Sequence, residues 1–151
     1  MELIMSFYHK NLTSVLLVSL VTLSACNMPS TNDTKLAATL SAASEVPPIN
    51  SKASGEADVK IDVKDYKLSW TIKYADLSGI VTGAHFHGPA IAGVNADVVV
   101  PISGDLTSPI KGEATLTAEQ TAELLEGKWY VNLHTAAHPD GEIRGQVVNK
   151  N

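Results

Sequence analysis

"EADVKIDVKDYKLSWTIKYADL" (residues 56–77) decides the fold. Val59, Ile61 and Val63 alternate with Asp58, Lys60, Asp62 and Lys64. That period of two belongs to a half-buried strand, not to a helix. Beyond Asp65 the pattern resumes, with Leu68, Trp70, Ile72 and Tyr74 on one face and Lys67, Ser69, Thr71 and Lys73 on the other. Two such runs joined by a short polar link predict an antiparallel hairpin.

The same reading extends outward in both directions. Strands are expected at LAATLSA (36–42), GIVTGAHFHG (79–88), ADVVVPI (96–102), IKGEATL (110–116), KWYVNLHT (128–135) and GEIRGQVV (141–148). About eight short strands separated by turn residues predict an all-β chain, an antiparallel β-sandwich or small barrel. One short helix interrupts them. In TAEQTAELLEG (117–127), Thr117 is placed as N-cap, Gln120 as its capping-box partner and Gly127 as the stop.

The chain has 151 residues, 44% of them hydrophobic, and a net charge of −5. This suffices for one domain with a core. The acidity is dispersed and Arg144 is the only arginine, so no basic patch invites nucleic acid. The N-terminus reads as an address. An apolar run, NLTSVLLVSLVTLSAC (11–26), ends in small residues and the single cysteine, Cys26. LSAC (23–26) resembles the cleavage box of bacterial lipoproteins, which implies a signal peptide over 1–25 and lipidation of Cys26. Residues 26–35 then form a lipidated tether, and the domain proper occupies 36–151. The expected location is extracytoplasmic, periplasmic or cell-surface, with the membrane as a partner through the lipid anchor.

Four of the five histidines fall in two segments, AHFHGPA (84–90) and HTAAH (134–138). Strand parity places Ala84 and Phe86 in the core and turns His85 and His87 outward together, roughly 6–7 Å apart along the backbone. In WYVNLHT, Val131 and Leu133 face the core while Tyr130, Asn132 and His134 lie opposite. In the last strand Ile143 and Val147 face in, and Glu142, Arg144 and Gln146 face out. The expected metal ligands are therefore His85, His87 and His134, with His138 as a fourth ligand or gate. Copper is the favoured divalent ion and zinc the alternative, because imidazole suits both and the affinity order peaks at copper. Arg144 is expected to hold an anion or carboxylate beside the site. Asp140 and Glu142 are candidate acceptors that orient an imidazole.

LSAASEVPP (40–48), Gly55, GAHFHGPA (83–90) and LTAEQTAELLEGKWYVNLHTAAHPDGEIRGQV (116–147) together resemble the chordin-type, or CHRD, domain. That resemblance implies an immunoglobulin-like antiparallel β-sandwich with one short helix. The outward His-x-His, one later histidine and a terminal-strand arginine are also distantly similar to copper-zinc superoxide dismutase. By that likeness His85, His87 and His134 match copper ligands and Arg144 the anion-guiding arginine. The zinc ligands and cysteine pair of that family have no counterpart here. Three functions follow: a membrane-anchored domain that binds a transition metal; a protein- or glycan-binding module without metal; and a copper-only, dismutase-like enzyme. No serine has a convincing base partner, which argues against a hydrolase.

Overall fold

The computed structural model describes residues 33–150. The segments expected to be signal peptide (1–25) and, for the most part, tether (26–35), with the expected lipidation site Cys26, lie outside the described residues. Nine strands, one α-helix and a short 3-10 turn follow in order: β1 (Asp33–Ser41), the 3-10 turn (Ala42–Ser44), β2 (Ser54–Asp62), β3 (Lys67–Ala75), β4 (Val81–His87), β5 (Val98–Pro101), β6 (Ile110–Thr115), α1 (Ala118–Leu125), β7 (Tyr130–Thr135), β8 (Ile143–Gln146) and β9 (Val148–Asn149).

The strands form one antiparallel sheet in the order β5-β4-β7-β8-β1-β2-β3-β6, with β9 pairing β1 beside β8. The β2–β3 hairpin pairs Asp62 with Lys67. Its link is stabilised by the Asp62 carboxylate, which accepts from the backbone N–H groups of Lys64 and Asp65. Val63, expected to face the core, falls in this turn and is exposed. Alternation holds only while the chain remains paired.

The sheet bends over itself, so that its two halves face each other across the core. Trp70 of β3 meets Phe86 of β4 edge to face, with ring centroids 5.2 Å apart, although the two strands are well separated in the sheet order. Leu36, Leu40, Val59, Ile61, Leu68, Ile72, Val131, Leu133 and Ile143 fill the space between the halves. Helix α1 begins at the expected capping box, in which Gln120 N–H donates to Thr117 Oγ1 and Thr117 N–H to Gln120 Oε1. It buries Leu124 against the core.

Phe86 is fully buried between Trp70 and Trp129. Phe86→Ala should therefore cost about 3–5 kcal/mol of unfolding free energy, as truncation of a packed aromatic does. Chemical denaturation checks this, and a loss under about 1 kcal/mol would show that the two halves are not packed on this ring.

Candidate functional site: a three-histidine cluster

β4 and β7 are neighbours, and their register sets the site. It pairs Gly83 with His134, His85 with Asn132, and His87 with Tyr130. His85 and His134 are thus diagonal neighbours on one face of the sheet. Gly83 leaves the space their rings fill, since a Cβ there would sit 3.3 Å from His85 Cε1 and 3.7 Å from His134 Cδ2. His87 faces Tyr130 directly, and the two rings stack with centroids 4.9 Å apart and planes 1° from parallel.

The three imidazoles converge. Taking one ring nitrogen from each of His85, His87 and His134, all lie within 4.8 Å of one another. His85 Nδ1 is 3.2 Å from His134 Nε2. Two further nitrogens are anchored on backbone. His87 Nδ1–H donates to the carbonyl of Ala96 at 3.0 Å, and His134 Nδ1–H to the carbonyl of Pro139 at 2.9 Å. These bonds place the proton of both rings on Nδ1 and leave a lone pair on each Nε2; that of His134 accepts from His85 Nδ1–H. His87 Nε2 is buried and has no hydrogen-bond partner among the described residues.

Electrostatics favour the neutral form of His85 and His87. Burial, then the proximity of His134 and His87, holds the His85 pKa below the ordinary value. Burial chiefly lowers that of His87, against the opposing hydrogen bond to Ala96; His134 and Arg144 add to the lowering. Uncharged imidazoles are the form in which a metal is bound.

The parity reading placed Tyr130, Asn132, Glu142 and Arg144 on an outer surface, and there the structure corrects it. All four are buried, as is His87, although the core-facing parity of Val131, Leu133 and Ile143 holds. The face is covered by the segments at 44–50 and 88–97. Arg144 Nε donates to the Ser44 carbonyl at 2.6 Å, and Nη1 to Asn95 Oδ1 at 2.8 Å. Its guanidinium carbon lies 4.6 Å from the centroid of the Tyr130 ring. An arginine so enclosed does not face solvent to collect anions. Glu45, unremarked in the sequence, is buried beside it, with Oε2 4.0 Å from Arg144 Nε. Burial pushes its carboxyl up to about 7, against the pull of the Arg144 charge.

His138 is not in the cluster. It occupies the tight turn after β7, where its carbonyl accepts from Thr135 and Gly141, and it lines a separate cleft of about 230 Å³ with Glu45, Pro47 and Asp140. Asp140 is exposed and borders that cleft and a second one of about 350 Å³ that reaches His87 and Asn132. Glu142 bonds none of the imidazoles. It accepts from the Ser51 hydroxyl, the Ser78 N–H and hydroxyl, and the Thr135 hydroxyl. The groups that orient the rings are backbone carbonyls, which carry no signature in sequence.

No curated protein and no solved structure matches the chain. The family model of the CHRD domain matches residues 36–147, a span that includes all three converging histidines, Tyr130 and Arg144. This chain therefore belongs to the CHRD-domain family.

Proposed function

We propose that this CHRD domain binds one transition-metal ion, copper ahead of zinc, through His85 Nδ1, His87 Nε2 and His134 Nε2. The convergence of the three rings carries this reading. Nitrogens about 2.0–2.1 Å from a tetrahedral ion lie about 3.3 Å apart, close to the 3.2 Å between His85 Nδ1 and His134 Nε2, and the ion would replace the proton between them as His85 shifts its own to Nε2. His87 has only to swing its buried, unpartnered Nε2 towards that pair. The two Nδ1–H bonds to carbonyls are the usual support for metal-bound histidines. Imidazole donors without a thiolate suit copper or zinc, and the divalent affinity order favours copper. His138 is a candidate gate or fourth ligand reached by movement of its turn. Titration of the full chain with copper and with zinc, followed by metal analysis after desalting, tests this reading, and one ion per chain is the expected result.

A binding module without metal has one observation in its favour. The bond between His85 and His134 satisfies those two rings by themselves. It leaves the buried Nε2 of His87 unexplained. A dismutase-like enzyme is less well supported, because Arg144 is enclosed and its Nε and Nη1 are already engaged.

The placement at a membrane is likewise a proposal. Among the described residues no helix is long and apolar enough to cross a bilayer, so attachment would rest on acyl chains at Cys26. Mass spectrometry of native protein should show an acylated Cys26 as first residue, and Cys26→Ser should release the domain from the membrane fraction. An unmodified cysteine in that fraction overturns the anchor.

A further inference from the structure

Resting on the metal reading, we infer that the site selects for a monovalent ion, Cu(I), over dications, and that Arg144 is the residue that imposes this selection through Tyr130 and His87. The three converging ligands are neutral imidazoles, with no carboxylate in the group. The ion's own charge therefore meets whatever fixed charge lies nearby.

That charge is positive. Arg144 is buried and brings a guanidinium cation to this side of the sheet. It contacts the Tyr130 ring, and the same ring carries His87 in a parallel stack. The acidic groups on this side offset it only in part. Asp97 and Asp140 are exposed, so water screens them. Glu45 is buried 4.0 Å from Arg144 Nε and cancels some of its charge, but of this pair it is Arg144 whose charge bears on His87. At an effective dielectric of about 20, a unit charge about 10 Å away weakens binding roughly tenfold for each unit of charge on the ion. A dication bears that penalty twice and Cu(I) once. Reduction at the site, Cu(II) plus one electron giving Cu(I), is favoured by the same factor, and a tenfold shift in that ratio corresponds to about 59 mV for one electron.

The test measures three ions on the full chain at pH 8. Cu(I) is assayed anaerobically by competition with a chromophoric Cu(I) chelator, with ascorbate as the electron donor. Cu(II) and Zn(II) are assayed by competition with chelators for each. Arg144→Met should tighten Zn(II) and Cu(II) about tenfold more than Cu(I), whereas Arg144→Lys, which keeps the charge, should preserve the wild-type ratios even if all affinities fall. Glu45→Gln leaves Arg144 and every histidine in place and covers the case of an unfolded Arg144→Met. It removes the counter-charge, so dications should weaken relative to Cu(I). Ratios that stay constant across the variants would overturn the selection while leaving the metal site standing. Wild-type protein that binds none of the three ions would remove the metal reading itself.

Discussion

His85→Ala/His87→Ala should lose copper and zinc affinity by at least about a thousandfold while retaining the fold. Outer-shell partners of metal-bound histidines are each worth 10–100-fold, and a pair of direct ligands is worth more. Both side chains lie on the face of β4 opposite Phe86, so their loss leaves the aromatic contacts of the core in place. His85 is already partly exposed. Circular dichroism and a cooperative unfolding transition establish the fold, and competition titration gives the affinity. Binding equal to wild type would show that the convergence of rings is only a hydrogen-bonded cluster. His138→Ala is the companion experiment. Because His138 stands outside the cluster, its loss should cost less than about tenfold.

Proton competition gives this prediction a pH profile. Burial and mutual repulsion hold His85 and His87 below the ordinary histidine value of 6.5. At these two ligands the neutral, metal-binding form is therefore retained through neutrality and past 6.5, and proton competition from them should set in only as the pH drops through the lowered values. The double variant should show no such profile.

How far the sequence reached depends on what each residue's neighbours are. Strands such as 56–62 and 67–74 were legible because one face meets core and the other meets water, which writes the period of two directly into residue type. The Thr117–Gln120 cap was legible for a similar reason, since both partners lie within four residues. Parity also delivered His85, His87 and His134 to one face, because the core positions of Phe86 and Leu133 fix the register. The burial of that face was not legible. β7 and β8 carry polar residues on it, but loops at 44–50 and 88–97 fold over them, and only tertiary structure tells a covered polar residue from a wet one. Arg144 was therefore read as a surface guide when it is an enclosed cation under Tyr130. Glu45 went unnoticed because it precedes Val-Pro-Pro in what reads as an ordinary loop. The ring-orienting carbonyls of Ala96 and Pro139 belong to every residue's backbone and could only be found in coordinates.

Glu142→Ala should destabilise the domain by about 3–5 kcal/mol, for reasons unconnected with metal. Glu142 stands just before β8, fully buried, and its carboxylate joins three separate parts of the chain. Ser51 comes from the loop leading into β2, Ser78 from the loop after β3, and Thr135 from the end of β7. Hydrogen bonds to a charged group contribute about 1.5–3 kcal/mol each, and truncation strands several buried donors at once. Burial pushes the Glu142 carboxyl up, but the bonds from Ser78, Thr135 and Ser51 outweigh it and hold the pKa below the ordinary 4.5. A folded-state pKa below the unfolded one means that this stabilisation is complete above about 4.5 and is lost as the pH falls through the folded value. Denaturant unfolding should therefore show the gap between wild type and Glu142→Ala at full width at pH 7 and narrowing in acid. Glu142→Gln keeps an acceptor oxygen and should fall between the two. Copper binding by Glu142→Ala, measured at pH 7 where enough protein remains folded, should match wild type within about threefold, because the carboxylate bonds none of the three imidazoles. A large loss of affinity in a folded Glu142→Ala protein would place this carboxylate in the metal site after all.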